Sequence, residues 1–230
     1  VNAQGRLCLD ALCRMIDDDT ALLSVMWANN ETGNIYPVLK LADIAHQHGA
    51  LFHTDAVQAV GKLPMDLANS GIDFLSLSGH KLHAPKGIGA LYVRRGVKFN
   101  QFMIGGHQES GLRAGTENVP GIIALGRAAM LASEHLEEEQ TRVAALRDRL
   151  EQGLLKSCPN ARVNGNPSSR LPNTTNISFE YIEGESILLL LNEHTIAASS
   201  GSACTSGSLE PSHVLRAMGV PYTAAHGSIR

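Results

Sequence analysis

The sequence predicts an α/β protein built on a mostly parallel sheet. Short apolar segments of strand length recur through the first half of the 230-residue chain, and a helical pattern lies between the first two of them. The connections between these segments are short, which is typical of βαβ units. A hydrophobic content of 43% is enough to bury one large core or two smaller ones.

The first half of the chain supplies the elements of this sheet. A helix is expected over residues 8–16, and the continuous apolar segment LLSVMWA at 22–28 predicts a buried strand. Apolar side chains at helical spacing then predict a helix that ends near Gly49, with Val38, Leu41, Ala42 and Ala45 on one face. Further strands are expected at 51–55, 73–78 and 90–95.

The pattern changes in the second half. Residues 119–157 predict one long helical stretch, in which Glu138 and Glu139 can each pair with Arg142. The remaining elements are expected to be strands at 161–165, 176–181 and 196–198 and helices at 185–192 and 212–218. We therefore expect a large domain over residues 1–136 and a smaller α+β domain over residues 137–230.

Composition excludes several classes of protein. The net charge is −3 with no basic block, which argues against nucleic-acid binding, and no apolar run approaches the ~18 residues of a membrane span. The four cysteines form no CxxC pair, so free thiols in the reducing cytoplasm are expected. The chain begins at Val1 and ends at Arg230 inside a strand-like pattern, so we expect a piece of a longer protein.

Polar side chains follow three of the predicted strands. They are Asn29 and Asn30 after the first, Asp55 and Gln58 at the end of the second, and Ser78, His80 and Lys81 after the third. Ligands of open parallel sheets bind at the carboxyl ends of the strands. The recurrence therefore predicts a ligand site at this edge of the sheet.

Two of these side chains suggest a particular chemistry. Lys81 follows an apolar strand and a glycine, a position at a buried edge that suits a lysine acting as a nucleophile. Asp55 could keep a pyridine nitrogen protonated, which is the chemical requirement of pyridoxal phosphate. Each has a simpler alternative, a surface lysine for Lys81 and a helix N-cap for Asp55, and spacing alone does not decide between them.

Other chemistries find less support in the sequence. The pairs His46/His48 and His80/His83 lack nearby cysteine pairs, so no metal site is predicted. There is no GxSxG segment for a serine hydrolase, and the glycines around 84–90 lack the spacing of a phosphate loop.

The segment SSGSACTSGS at 199–208 places Cys204 among small residues that could not pack a core. Glycine and serine lower the cost of sampling many backbone conformations. Such a segment suits a thiol that must reach more than one place, whereas nothing in the sequence suggests activation of Cys8, Cys13 or Cys158.

Three segments together, HTDAVQAVGK, SGHK and SSGSACTSGSLEPSHVLRAMG, resemble the pyridoxal-phosphate-dependent cysteine desulfurases, and most nearly those of nitrogen fixation. The resemblance implies the fold-type I architecture and a cytoplasmic homodimer. It also implies removal of sulfur from L-cysteine, which leaves L-alanine and a persulfide. The sulfur acceptor would be a scaffold protein of iron–sulfur cluster assembly, in support of nitrogenase maturation.

The resemblance also assigns roles in the reaction. Lys81 resembles the lysine that forms the Schiff base with the cofactor, and Cys204 resembles the cysteine that carries the persulfide. Arg230, in GSIR, resembles the arginine that binds the substrate carboxylate. Asn30 resembles a ligand of both the substrate and the cofactor ring.

The remaining assignments concern the cofactor. Asp55 resembles the partner of the pyridinium nitrogen, and Gln58 resembles a ligand of the ring hydroxyl. Ser78 and His80 resemble phosphate ligands, and Thr116, in RAGTEN, resembles the residue that reaches the phosphate of the neighbouring subunit. The family's N-terminal part, with its phosphate-cradling segment and the histidine that stacks on the ring, has no counterpart here.

Alternatives remain at this point. A selenocysteine lyase or another fold-type I enzyme would share the scaffold, although a transaminase has no need of Cys204. A non-catalytic fragment that only dimerises or docks on a cluster scaffold would share the sequence without the activity.

Overall fold

The computed structural model describes residues 1–201 and 210–230. The contacts between residues divide the chain into two units. The first, the sheet unit, consists of Asp18–Val25 and Val38–His135. The second, the C-terminal unit, consists of Val1–Asp17, Met26–Pro37 and Leu136–Arg230. The two domains expected from the sequence, 1–136 and 137–230, stay a prediction.

The regular elements are as follows. Strands β1 to β7 are Leu22–Ser24, Leu51–Asp55, Phe74–Ser78, Gly89–Val93, Ala161–Val163, Ile177–Phe179 and Ser228–Ile229. Helices α1 to α7 are Leu9–Met15, Val38–Gln47, Val119–Glu134, Ala144–Ser157, Gly184–Glu193, His213–Ala217 and Tyr222–Ala225. Short helical turns at Gly79–Leu82, Glu109–Gly111, Leu136–Glu138 and Glu139–Val143 complete the described set.

The sheet unit contains a four-stranded sheet in the order β1–β2–β3–β4. The first three strands are parallel, and β4 pairs with β3 in the antiparallel direction. Ser78, the last residue of β3, lies opposite Gly89, and a Cβ atom at Gly89 would stand 2.6 Å from the carbonyl oxygen of Leu77. The predicted α/β class with a mostly parallel sheet is confirmed.

One face of this sheet buries its side chains along β2 and β3, whereas the other carries polar side chains together with the exposed Leu22 and Leu91. Helix α2 packs against β2 and buries Leu41 and Ala45 completely. Phe52, Thr54 and Leu75 are buried as well. Because successive side chains of a strand point to opposite faces, His53 and Asp55 stand on the face opposite Phe52 and Thr54. The ends of β2 and β3 therefore present a row of polar groups on one surface.

The first strand is shorter than expected. The apolar segment 22–28 predicts a single strand, but β1 ends at Ser24, and Ala28 bridges Ile35 within the C-terminal unit. The side chain of Asn29 closes the intervening turn by accepting hydrogen bonds from the amides of Glu31 and Thr32, both at 2.9 Å. The expected burial is also wrong for most of the segment, since Trp27 and Ala28 are buried while Leu22 and Met26 are exposed. Hydrophobicity could not show that the segment changes partners midway.

The C-terminal unit has a three-stranded antiparallel sheet in the order β5–β6–β7. Its apolar cluster comprises Leu215, Met218, Val220, Ala224 and Ala225. Asn164, Asn176 and Ser178 are buried beside one another, and the Asn164 amide donates to both of the others, at 2.8 and 2.7 Å. The Asn164 amide nitrogen is thus paired twice, whereas its buried Oδ1 atom has no hydrogen-bond partner among the described residues.

Two further expectations need correction. The long helical stretch is interrupted, because α3 ends at Glu134 and a wider helical turn at Glu139–Val143 precedes α4. The expected ion pair between Glu138 and Arg142 does form, at 2.7 Å. No strand forms at 196–198, because the chain there turns back onto α5, where the Ile196 amide donates to the Leu191 carbonyl. No helix in the described part of the chain has the length and apolar character needed to cross a membrane.

Candidate active site

Two of the three predicted groups of polar side chains lie together in the sheet unit, whereas Asn29 and Asn30 belong to the C-terminal unit. Asp55 ends β2, and Ser78 ends the neighbouring parallel strand β3. Asp55 lies opposite Ser76 in the register, so the side chains of Asp55, Ser76 and Ser78 share one face of the sheet. This edge is where parallel sheets bind their ligands.

Asp55 combines the two roles that the sequence left open. One oxygen of its exposed carboxylate accepts a hydrogen bond from the Val57 amide at 2.9 Å, which closes a tight turn rather than capping a regular helix. The other oxygen receives no hydrogen bond from the described residues. The carboxylate is thus held in place by the turn and still able to bind a proton donor.

His53 belongs to the same surface and was missed by the sequence analysis. Its Nδ1 atom lies 2.7 Å from the Ser24 hydroxyl of β1, and its Nε2 atom lies 2.6 Å from the Ser76 hydroxyl of β3. Burial lowers the pKa of His53, and the nearby charge of Asp55 raises it, with a net pKa below the usual histidine value. The lowered pKa favours the neutral imidazole, in which one ring nitrogen donates and the other accepts. Its position two residues before Asp55 was the available signal.

The turn after β3 carries three of the predicted residues. The Ser78 hydroxyl lies 2.7 Å from Nδ1 of His80, so these two groups form a pair. Lys81 follows on the helical turn Gly79–Leu82, and its side chain is exposed. Its neighbours Gly79 and Leu82 are buried, and the expected position of Lys81 at a buried edge stays a prediction.

Gln58 and Thr116 lie in the same unit. Gln58 is half-buried in the turn that follows β2, and Thr116 is exposed in the segment before α3. No hydrogen bond within the described residues ties either side chain to Asp55 or Ser78. Their roles stay predictions.

Asn30 and Arg230, the two predicted substrate ligands, meet in the C-terminal unit. A guanidinium nitrogen of Arg230, Nη1, donates a hydrogen bond to the Asn30 carbonyl at 2.7 Å. Both residues are half-buried. One side of the guanidinium is thereby fixed, which orients the remaining donors.

The cysteines divide into two groups. Cys204 lies in 202–209, outside the described residues, so its predicted role stays a prediction. Cys8 and Cys13 are exposed, and Cys158 is half-buried. Across residues 1–201 and 210–230, no three histidine, cysteine or acidic side chains are grouped so that they could hold a metal ion.

A second ionic cluster lies at the opposite end of β3. Asp73 is fully buried and binds His46 at 2.8 Å, the Phe52 amide at 2.7 Å and the Arg94 guanidinium. Burial raises the pKa of Asp73, but the hydrogen bonds from His46, Phe52 and Arg94 outweigh it and hold the pKa below its usual value. This cluster joins α2, β2 and the end of β4, so we assign it to stability.

The comparisons with known proteins agree with this geometry. A family model described as aminotransferase class-V matches residues 1–230. A cysteine desulfurase of Gluconacetobacter diazotrophicus is 71% identical over 230 residues, which are 100% of this chain and 58% of that protein. Cysteine desulfurase NifS of Azotobacter vinelandii is 63% identical over 100% of this chain and 57% of its own.

Solved structures show the same similarity. A NifS-like protein superposes with a TM-score of 0.90 at 39% identity, over 100% of this chain and 60% of its own. A structure described as SspA in complex with cysteine superposes with a TM-score of 0.82 at 34% identity, over 100% of this chain and 63% of its own. The chain thus spans about 58% of the length of the curated relatives it matches.

Proposed function

Because the chain belongs to the class-V aminotransferase family, we propose that it carries the catalytic residues of a pyridoxal-phosphate-dependent cysteine desulfurase. The observation that carries this proposal is the group of Asp55, Ser78, His80 and Lys81 at the carboxyl ends of two adjacent parallel strands. The names of the relatives support the same activity.

The side chains present suit this cofactor. The carboxylate of Asp55, with one oxygen open to a proton donor, matches a protonated pyridine nitrogen. The Ser78 hydroxyl and the His80 imidazole match a phosphate, and the exposed amine of Lys81 matches an aldehyde. We propose Gln58 and Asn30 as further ligands, with Thr116 binding the phosphate of a second subunit. When bound, pyridoxal phosphate supplies an electron sink for bonds broken in the substrate.

The chain's own residues would then bind the substrate and move protons. Arg230 would bind the carboxylate of L-cysteine through the guanidinium donors that Asn30 leaves open. The amine of Lys81 would move a proton at the reacting carbon. The structural similarity to a protein solved with cysteine supports this choice of substrate.

Cys204 would take the sulfur. Its thiolate attacks the substrate sulfur, so a sulfur–sulfur bond forms while the carbon–sulfur bond of the substrate breaks. The electron pair of the broken bond stays with the substrate carbon, which takes up a proton and becomes the methyl group of L-alanine. Cys204 is left as a persulfide, and an iron–sulfur scaffold protein would receive this sulfur. We further propose a cytoplasmic homodimer with a part in nitrogen fixation.

Cys204→Ser in the full-length protein tests this proposal. The substitution keeps the size of the side chain but replaces the thiol by a much weaker nucleophile toward sulfur. We expect the variant to bind pyridoxal phosphate with an unchanged absorbance spectrum and to release neither alanine nor persulfide from L-cysteine. Amino-acid analysis of the products measures this. Alanine release at the parental rate would be fatal to the proposal.

A further inference from the structure

The turn at 29–34 contains a buried carboxylate to which the sequence analysis gave no role. Glu31 is only 1% exposed, and the Asn29 side chain fixes its backbone. The Glu31 carbonyl also accepts a hydrogen bond from the Asn176 amide at 3.3 Å. Since burying a carboxylate is costly unless it is hydrogen-bonded, the groups that Glu31 binds indicate what it does.

On one side, Glu31 binds the beginning of α6. Its Oε2 atom accepts a short hydrogen bond from the Ser212 hydroxyl. The Ser212 oxygen in turn accepts hydrogen bonds from the amides of Val214 and Leu215, at 3.1 and 3.4 Å, and so caps α6. Ser212 lies just after residues 202–209, so Glu31 fixes the chain where it continues beyond that segment.

The same carboxylate lies against the chain just before that segment. Gly201 is buried with a φ of +52°, and a Cβ atom there would lie 3.4 Å from the Ser212 Cβ and 3.6 Å from Oε2 of Glu31. A side chain at Gly201 would therefore fill the space between these groups. Gly201 and Ser212 thus both lie beside one buried oxygen.

The neighbouring residue of the turn binds the predicted substrate ligand. Arg230 donates to the Asn30 carbonyl, and the Arg230 backbone exchanges two hydrogen bonds with Ser199, at 3.1 and 2.7 Å. Asn30 therefore binds Arg230, and the next residue, Glu31, binds Ser212 after residues 202–209 and lies close to Gly201 before them.

We infer that Glu31 is a positioning residue that, through Ser212, holds together the two ends of the segment carrying Cys204, beside Arg230. Fixing both ends of a short segment limits the volume its thiol explores and raises the effective concentration of the thiol within that volume. Releasing one end enlarges the volume. The inference rests on the proposed function only for the roles of Cys204 and Arg230.

Two substitutions of equal size at Ser212 can distinguish its hydrogen bond to Glu31 from its capping of α6. In the full-length protein, Ser212→Asn and Ser212→Asp both retain a capping oxygen, but only the asparagine amide can donate to Glu31. We expect Ser212→Asp to be alkylated at Cys204 by iodoacetamide about fivefold faster than the parent, as loss of one hydrogen bond allows. Ser212→Asn should stay near the parent. Peptide mapping gives the rate at Cys204, with exposed Cys8 and Cys13 as internal references.

A double variant provides the rescue. Glu31→Gln combined with Ser212→Asp restores the hydrogen bond in the reverse direction, from amide to carboxylate. We expect its Cys204 alkylation rate to return toward the parental rate. Equal alkylation rates in Ser212→Asp and Ser212→Asn, or no recovery in the double variant, would overturn the inference.

Asn34→Ala provides the control for general destabilisation. Asn34 is buried in the same turn, but its side chain binds the Gln4 carbonyl and the Asn166 amide, at 2.8 and 2.7 Å. We expect this variant to unfold more easily while keeping the parental alkylation rate at Cys204 under native conditions. An increase as large as that of Ser212→Asp would also overturn the inference.

These measurements need no turnover, so the inference can fail or hold independently of the proposed function. With L-cysteine as substrate, we expect Ser212→Asp to form persulfide roughly fivefold more slowly, because the effective concentration of the thiol falls. The absorbance of bound pyridoxal phosphate should not change. An altered spectrum would show that the variant disturbs the cofactor residues and would count against a role confined to positioning.

Discussion

Asp55 is the residue at which charge, rather than shape, should decide activity. A protonated pyridine nitrogen needs a carboxylate, and Asp55 offers one whose second oxygen is open. We expect Asp55→Ala in the full-length protein to lower kcat for alanine formation by orders of magnitude, and Asp55→Glu to lower it far less. Steady-state kinetics with L-cysteine measures both. Near-parental rates in both variants would show that Asp55 only closes the turn and has no role in the reaction.

Lys81 can be tested by covalent labelling. We expect borohydride reduction of the full-length protein loaded with pyridoxal phosphate to attach the label to Lys81, and Lys81→Ala to abolish it while circular dichroism stays unchanged. Lys86, which is also exposed and lies five residues further on, serves as the comparison. Label on Lys86 or Lys62 in place of Lys81 contradicts the assignment.

Asp73 should make the free energy of unfolding depend on pH in the acidic range. A carboxyl with a lowered pKa in the folded state stabilises the fold above its unfolded pKa, and this contribution is lost as the pH falls through the folded pKa. We expect Asp73→Asn to lower the free energy of unfolding by about 2 kcal/mol at pH 7, because it loses charge-assisted hydrogen bonds. The difference from the parent should shrink as the pH falls below about 4.

Urea unfolding at neutral and acidic pH measures this difference. The matched control is Asp66→Asn, since Asp66 is exposed and accepts one hydrogen bond from the Ala68 amide at 3.0 Å. We expect its effect to stay within about 0.5 kcal/mol, as at most surface sites. An equal decrease in the free energy of unfolding in the two variants would show that the buried contacts of Asp73 add no particular stability.

At the scale of elements, the sequence predicted those helices and strands whose bounds depend on the local pattern of residues. Strand β2 was predicted with its observed bounds because it is a short apolar segment that ends in Asp55. Strand β1 was predicted too long, because an apolar composition does not show which neighbour, if any, covers each residue. The helical stretch was placed correctly, but its interruption near His135 leaves no mark in the apolar spacing.

The candidate site shows the same division. Asp55, Ser78, His80 and Lys81 could be identified because each lies next to a strand end in the sequence. The partners of His53 could not, since Ser24 and Ser76 come from strands on either side of it. Glu31 was missed for a similar reason, because its contact with Ser212 spans 181 residues of chain.

At the scale of the whole molecule, the proposed reaction needs one thiol to serve two reactants, the substrate and a sulfur acceptor. Deleting Ser206, Gly207 and Ser208 would keep Cys204 but shorten its reach by up to ~10 Å of extended chain. We expect persulfide formation or its transfer to slow, with the cofactor spectrum unchanged. Single-turnover kinetics, with and without an acceptor thiol, separate the two steps. Parental rates for both would show that reach is not limiting.

The antiparallel pairing of β4 has a consequence for protein engineering. Gly89 lies opposite Ser78, a proposed phosphate ligand, and a methyl group there would collide with the Leu77 carbonyl, one residue before Ser78. A library chosen by side-chain role would nevertheless rank Gly89 as free to vary, because glycine has no side chain that could bind a ligand. Loss of activity in such clones would then be misread as a lost side-chain role, although it would arise from backbone contact with β3, the strand that ends in the proposed phosphate ligand Ser78.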